Sequence, residues 1–249
     1  MSNELAVVTG GGTGLGRSIC HALADHGLTV LTVGRRAGPL EETRTHAPEL
    51  ITALAADVAT RQGRDAIVDA VGERRLRALV HNAGVIEPIG PLAEVRLEDW
   101  RHSQAVNVEA PLFLTQALLD RLPGGRILHI SSGAAHKALA GWGAYCTSKA
   151  ALYMLYQTLG LELADRDVGV GSFRPGVVDT PMQTLIRRQS ASEFPAVQQF
   201  VQLHSSGSLA DPGQVADFAA WLLLDVSADR YGREEWSFTE PAHRAQWGG

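Results

Sequence analysis

The sequence predicts an α/β fold: a single doubly wound domain over residues 1–249, with a seven-stranded, mostly parallel sheet and helices on both faces. Short β-branched runs alternate along the chain with stretches of helical periodicity. A glycine-rich turn follows the first run and opens the first helical stretch. No Pro/Gly/Ser-rich linker or internal repeat divides the chain. Alternating strands and helices imply right-handed crossovers, and therefore a parallel sheet covered on both faces.

The predicted strands share an apolar, β-branched character and are bounded by turn residues. In chain order they are Leu5–Thr9, Leu28–Val33, Leu50–Ala55, Ala78–His81, Arg126–Ser131, Val168–Phe173 and, with a weaker pattern, Glu235–Phe238. The predicted helices are Gly14–His26, Arg61–Val71, Leu97–Arg121, Gly143–Arg166 and Pro212–Leu224. Asp211 precedes the last helix as an N-cap, with proline at the first helical position.

The segment 182–210 is polar and poorly periodic, as in Gln189-Ser190-Ala191-Ser192-Glu193. This pattern predicts an insertion that lies over the carboxyl end of the sheet, in the position of a substrate lid.

The formal net charge of −5 argues against nucleic acid or an anionic membrane as a partner. Two cysteines, Cys20 and Cys146, give no disulfide framework and favour a reducing, cytoplasmic location. No signal peptide or apolar run of transmembrane length is visible, and no metal site is predicted.

The glycine-rich turn is typical of a dinucleotide-binding Rossmann fold. Its glycines permit a tight turn, and the following helix N-terminus offers N–H groups to a pyrophosphate. The alternative is a glycine-rich turn without a ligand. The candidate cofactor-binding residues here are Gly10, Gly12, Thr13, Gly14, Leu15 and Gly16.

Arg35 and Arg36 follow the second strand, where an NAD-binding fold usually places an acid for the adenine ribose. Guanidinium groups pair with phosphate in a bidentate, charge-assisted way. The pair therefore favours NADP(H) over NAD(H), unless both residues are simply solvated.

Two further segments end predicted strands. In Asp57-Val58, the acid would accept from the adenine amino group or cap the next helix. In Asn82-Ala83-Gly84, small residues would let the backbone pass close to the adenosine ribose. Either segment would also serve as an ordinary turn.

Tyr145 and Lys149 stand four residues apart on a predicted helix, in a chain with two lysines and twenty arginines. Residues at this spacing share one helix face. A neighbouring ammonium favours the phenolate, which predicts a lowered tyrosine pKa and a general acid/base.

Together with Asn107, Ser132 and Pro175-Gly176…Thr180, these motifs resemble the short-chain dehydrogenase/reductase family over nearly the whole chain. Ser132 precedes Tyr145 by thirteen residues, as the family pattern expects.

The resemblance implies a role for each position. Tyr145 would protonate a carbonyl oxygen, and Ser132 would donate a hydrogen bond to the same atom. Lys149 would lower the tyrosine pKa and hold the nicotinamide ribose, while Asn107 would hold a relay water. The residues expected to contact the nicotinamide end are Pro175, Gly176, Val178 and Thr180. Asn107 as a packing amide and Ser132 as an ordinary strand-end hydroxyl are the alternatives.

Within the family, the segments around Trp142 and Met182 are similar to the sepiapterin reductase and benzil reductase branch. That resemblance implies an NADPH-dependent reductase of vicinal dicarbonyls. Sepiapterin reductases carry an acid in the final strand, where this chain has Trp236; Glu235 would serve only with a one-residue slip that turns it to the other face. An aromatic diketone packed by Trp142, Met182 and Trp236 fits better, unless these residues form core or lid packing.

Three functions remain open: a carbonyl reductase, an alcohol dehydrogenase with another substrate, and a dinucleotide-binding sensor without turnover. The family commonly pairs through the helices that contain Asn107 and Tyr145. The segment 150–156 is apolar nearly all round, so a homodimer or homotetramer is expected.

Overall fold

The predicted architecture is confirmed in the computed structural model, which describes residues 4–248. Seven strands form one sheet in the order β3-β2-β1-β4-β5-β6-β7, and every neighbouring pair is parallel. The strands are β1 (Glu4–Thr9), β2 (Thr29–Gly34), β3 (Ile51–Ala55), β4 (Arg75–His81), β5 (Arg126–Ile130), β6 (Gly169–Arg174) and β7 (Trp236–Ser237). The strand order reverses between β1 and β4, which is where such sheets bind ligands at their carboxyl ends.

The helices cover both faces. They are α1 (Gly14–Asp25), α2 (Ala37–Arg44), α3 (Arg61–Val71), α4 (Leu97–Gln104), α5 (Ala110–Leu118), α6 (Gly143–Glu162), α7 (Pro181–Arg187), α8 (Val197–Ser205), α9 (Pro212–Leu224), α10 (Ala228–Tyr231) and α11 (Pro241–Trp247). Among these, no helix in 4–248 has both the length and the apolar character needed to cross a bilayer.

Two apolar cores lie on opposite sides of the sheet. One joins the sheet to α1 and α9, and the other joins it to α3, α5 and α6. The central strands are buried on both faces, which explains why they read as continuous apolar runs. A third cluster lies beyond the carboxyl ends of the strands and includes Trp142, Tyr145 and residues of α7 and α8.

The structure departs from the predicted elements at several places, and the short helices α10 and α11 were not predicted. The single helix predicted over Leu97–Arg121 contains a π-helical turn at Ala105–Glu109, between α4 and α5. Helix α2 was not predicted, because Gly38 and Pro39 in its first turn break a helical pattern. In the segment 182–210, most of α7 and all of α8 were not predicted, because the polar residues there show no clear helical periodicity.

Candidate active site

The glycine turn joins β1 to α1 and is shaped by close contacts. Gly10 and Gly14 have φ values of +68° and +53°, a region that glycine adopts without strain. A Cβ on Gly10 would lie 2.8 Å from Ala83 Cα, and one on Gly16 would lie 2.3 Å from the Gly10 carbonyl oxygen. Glycine is therefore required at both places.

Helix α1 begins at the end of this turn. Its N-cap residue, Thr13, makes no side-chain capping hydrogen bond in the described structure. The first-turn N–H groups of a twelve-residue helix thus remain available to an anion. Gly12 lies against Leu40, and Leu15 is buried. The arrangement fits the pyrophosphate of a dinucleotide.

Asn82 fixes the turn from the neighbouring strand. Its amide Nδ2 donates to the carbonyl oxygens of Thr9 and Gly10, at 2.9 and 3.2 Å. The backbone N–H of Ala83 donates to Thr9 Oγ1 at 3.1 Å. Asn82 therefore positions the glycine turn, and its Nδ2 is engaged by protein carbonyls.

The two arginines predicted to bind a 2′-phosphate are exposed at the carboxyl end of β2, where Arg36 is the N-cap residue of α2. Beyond β3, the Asp57 carboxylate accepts from the Ala59 N–H at 3.0 Å. Thr60, and not Asp57, caps α3, because its hydroxyl accepts from the Gly63 N–H. The helix-capping alternative for Asp57 is therefore wrong, and Val58 beside it is buried.

The segment after β6 faces the glycine turn. A Cβ on Gly14 would lie 3.1 Å from Thr180 Cβ, so the predicted nicotinamide contact lies across from the predicted phosphate site. Gly176 has a φ of +77°, and Val178 forms a β-bridge with Ala210. Half-buried Pro175 follows β6 directly. The structure thus brings the two ends of the predicted cofactor site together.

Tyr145 lies in the first turn of α6 and is buried. Burial raises the pKa of its phenol to about 12, and the nearby Ser132 side chain opposes that rise. Ser132 also begins a short 3₁₀ turn, in which its Oγ accepts from the Ala134 N–H at 3.1 Å. The Ser132 and Tyr145 side chains therefore lie close together, which is the arrangement that two donors to one oxygen would need.

Lys149 is buried one helical turn further along α6. Its Nζ donates to the Ile130 carbonyl oxygen at 2.7 Å and lies 5.7 Å from the centroid of the Tyr145 ring. Burial lowers the lysine pKa to about 8. The predicted lowering of the Tyr145 pKa is wrong for this arrangement, because the ammonium is directed at a carbonyl and desolvation of the phenol dominates.

Asn107 lies in the π-helical turn and is buried. Its Oδ1 accepts from the Val85 N–H at 2.9 Å, and its Nδ2 donates to the Val85 carbonyl oxygen and to Ser148 Oγ at 2.8 and 2.9 Å. Both amide hydrogens are thus committed to protein partners. The side chain ties the segment after β4 to α6, and the role of Asn107 in holding a relay water stays a prediction.

Gly84 leaves space beside these groups. A Cβ there would lie 3.4 Å from Asn107 Oδ1 and 3.8 Å from Lys149 Nζ. Gly84 therefore lies next to both polar groups, at the carboxyl end of β4.

Two buried histidines, for which no role was predicted, lie near the lysine. His81 and His129 are register partners on β4 and β5, with ring centroids 5.2 Å apart. Burial lowers the pKa of both, and the charge of Lys149 lowers that of His129 further, to about 3. Both imidazoles are therefore neutral near pH 7 and do not compete with Lys149 for charge.

An aromatic cluster, formed by Trp142, Phe194 and Phe200, borders Tyr145. Trp142 stacks on Phe194 at 4.5 Å with an interplanar angle of 3°, and its ring lies edge-on to Tyr145 at 5.8 Å. Phe200 completes the cluster, and half-buried Met182 packs against it. Trp142 and Met182 therefore lie in the cluster that includes Tyr145, and their contact with a substrate stays a prediction. Phe194 and Phe200 were not predicted, because their segment has no clear periodic pattern.

The prediction that Trp236 lines the substrate pocket is wrong. Its side chain is 0% exposed, donates from Nε1 to the Tyr231 carbonyl oxygen, and packs edge-on against Trp221 of α9. It belongs to the core on the α1 and α9 side and does not line the pocket. Strand alternation places Glu235 on the opposite face, as its hydrogen bond to Ser172 of β6 shows.

Comparison with known proteins adds independent findings. Residues 4–191 match the family described as short chain dehydrogenase. Benzil reductase ((S)-benzoin forming) of Bacillus subtilis is 33% identical, over 90% of this chain and 93% of the relative. D-erythrulose reductase of Gallus gallus is also 33% identical, over 90% of this chain and 89% of the relative. The crystal structure of a short chain dehydrogenase/reductase from Saccharomyces cerevisiae matches with a TM-score of 0.88 at 28% identity, covering 97% of this chain and 98% of that one.

Proposed function

The chain belongs to the short chain dehydrogenase family, and from that premise we propose that it is an NADPH-dependent carbonyl reductase whose substrate is a vicinal dicarbonyl, such as benzil or a related aromatic diketone. That it is an oxidoreductase follows from the family. The cofactor preference and the substrate are the proposal.

The observation that carries the proposed substrate is the aromatic cluster beside Tyr145. A planar apolar substrate would pack in the apolar surroundings of Tyr145 that Trp142 and half-buried Met182 provide, with buried Phe194 stacked on Trp142. Each phenyl group buried there would gain on the order of 2 kcal/mol. A small polyhydroxylated substrate would instead leave hydroxyl groups without partners in these surroundings. The 33% identity to a benzil reductase supports the same choice.

The residues around Tyr145 suit protonation of a carbonyl oxygen. NADPH, when bound, supplies the hydride. Negative charge then develops on the carbonyl oxygen, and hydroxyl donors directed at that atom stabilise the transition state. Tyr145 is protonated near pH 7 because its pKa is about 12, so it can donate both a hydrogen bond and the proton. The nearby charge of Lys149 favours the phenolate that remains.

The proposed cofactor preference rests on Arg35 and Arg36. A 2′-phosphate at the carboxyl end of β2 would meet two exposed guanidinium groups there. The glycine turn would hold the pyrophosphate, and Thr180 would face the nicotinamide end. An NAD-specific site would need a carboxylate at this position to bind the ribose hydroxyls.

The proposal is tested by mixing the purified protein with NADPH or NADH and with benzil, sepiapterin or D-erythrulose, while following cofactor absorbance. We expect oxidation of NADPH with benzil and little turnover of sepiapterin. The rate of NADPH oxidation with benzil should fall about 100-fold or more in Tyr145→Phe. Faster turnover of D-erythrulose than of benzil would mean that the substrate is a ketose and not an aromatic diketone. A strong preference for NADH would show that Arg35 and Arg36 are surface residues. Cofactor binding without turnover of any carbonyl or alcohol would favour the sensor.

A further inference from the structure

A buried carboxylate lies beside the 3₁₀ turn that begins at Ser132, and it has no part in the chemistry described above. Glu235 immediately precedes β7, and its side chain is only 7% exposed. One oxygen, Oε1, accepts from Ser172 Oγ at 2.8 Å. The other, Oε2, lies 2.7 Å from His136 Nε2 and 2.9 Å from Arg174 Nε. The Arg174 N–H is not aligned for a hydrogen bond, so that contact is an ion pair only.

This carboxylate connects segments that are distant in sequence. Ser172 and Arg174 belong to β6, which leads directly into the segment that faces the glycine turn. His136 closes the 3₁₀ turn that Ser132 opens, and its N–H donates to the Gly133 carbonyl oxygen at 3.1 Å. Glu235 therefore fixes the end of the turn that holds the candidate donor.

His136 is also held from its other side. Its ring lies edge-on to that of Tyr153, with centroids 4.5 Å apart. Tyr153 lies on α6, four residues after Lys149. The imidazole is thus confined between the Glu235 carboxylate and the helix that supplies Tyr145 and Lys149.

We propose that Glu235 is a positioning residue for Ser132 and acts through His136. The proposal rests on the proposed function, since it takes Ser132 as a donor to the carbonyl oxygen. A donor must be held within about 0.5 Å of its productive position, and side chains achieve this through packing and hydrogen bonds behind the site. Burial of a carboxylate is costly unless it is paired, which is why Glu235 needs all three partners.

The chain provides a matched control. The neighbouring residue Glu234 also contacts a histidine, with its Oε2 3.2 Å from His243 Nε2. Its side chain is 48% exposed, and His243 lies among the residues on the Trp236 side of the sheet, away from Ser132. Loss of the Glu234–His243 contact removes a glutamate–histidine pair and leaves the 3₁₀ turn at Ser132 unchanged.

The test compares Glu235→Gln with Glu234→Gln in the full chain, using NADPH and benzil. Glutamine keeps the size of the side chain and an acceptor for Ser172, but it removes the negative charge. We expect E235Q to lower kcat about 10-fold while KM for benzil changes little, because a misplaced donor weakens the transition state more than substrate binding. E234Q should match the parent in both constants.

A double-mutant cycle with His136→Ala tests whether Glu235 acts on Ser132 through His136. If Glu235 acts through His136, E235Q added to H136A should slow the enzyme no further, so the two losses in kcat are not additive. Additive losses, or a kcat of E235Q equal to that of the parent, would overturn the proposal. Thermal unfolding of each variant checks that the comparison is made on folded protein.

Hydrogen exchange separates this proposal from the proposed function. The backbone amides of Ala134–His136 should exchange faster in E235Q than in E234Q or the parent, and this measurement needs no substrate. If the parent reduces no carbonyl but E235Q still exchanges faster than the parent at these amides, the proposed function is overturned and the anchoring by Glu235 is retained. Unchanged exchange at these amides would overturn the anchoring itself.

Discussion

At the scale of single residues, burial decides the charge states on which the site depends. The spacing of Tyr145 and Lys149 was sufficient to place both on one face of a helix. It was not sufficient to give the direction of the tyrosine pKa, because that depends on how much solvent the fold removes and on the carbonyl that the ammonium finds. Ile130 supplies that carbonyl from a different element.

The pKa of Lys149 leads to a prediction about pH. Below pH 8 the buried amine is charged, and above its pKa of about 8 it becomes neutral and no longer favours the phenolate. We therefore expect kcat/KM for NADPH, which reports on the free enzyme, to fall as the pH rises through about 8. Tyr145 does not account for such a fall, since its pKa is about 12.

Lys149→Arg is the control for this profile. Arginine keeps its charge over the whole range, so the slower variant should lose the alkaline fall. A parent profile that stays flat up to pH 10 would show that the lysine charge does not limit the rate.

At the scale of secondary-structure elements, regular patterns were predictable and local interruptions were not. Helices α3 and α9 begin and end where the sequence predicted. The π-helical turn in 105–109 has no pattern of its own, because it is set by the contact of Asn107 with the segment after β4. In β7, two residues of extended chain gave too little alternation to assign Trp236 to the core.

The stacking of Trp142 on Phe194 allows a test of the aromatic cluster. Phe194→Leu keeps an apolar side chain but removes the stacked ring, and such pairs contribute about 0.5–1.5 kcal/mol. Because buried Phe194 supports Trp142, which borders Tyr145, we expect KM for benzil to rise between about 2- and 10-fold, with little change in the dissociation constant for NADPH.

The matched control is Phe218→Leu. Phe218 on α9 stacks on Phe173 in the core, with ring centroids 5.4 Å apart, and lies on the opposite side of the sheet from α6. This variant should lower the melting temperature without raising KM for benzil. Equal increases in KM for both variants would show that the cluster acts only through stability.

At the scale of the whole molecule, the order of the strands brings the site together. Residues as distant in sequence as Gly14 and Thr180 meet because parallel strands expose their carboxyl ends at one edge. The alternation of strands and helices predicted this meeting. It did not predict the aromatic cluster, because Phe194 and Phe200 meet Trp142 only through the packing of α8 and of the segment before it.

The surface of α5 and α6 remains partly apolar in the single chain. Phe113 on α5 is 43% exposed, and Met154 and Leu161 on α6 are 58% and 82% exposed. We propose that these helices pair with those of a second copy. In a twofold interface each residue contributes twice, and burial of one leucine side chain gains about 1.5–3 kcal/mol.

Leu161→Glu tests this pairing, because it introduces a charge into the interface of each copy. Light scattering at micromolar concentration should give a multiple of the 26.6 kDa chain mass for the parent and a smaller assembly for the variant. Val201→Glu is the control: Val201 is an exposed apolar residue on α8, away from α5 and α6, and its substitution should leave the mass unchanged. A monomeric parent would show that there is no such interface. A Leu161→Glu variant that assembles like the parent would show that the interface lies elsewhere on the surface. A smaller assembly in which kcat is retained would show further that the site formed by α6 and its neighbours is complete within one chain.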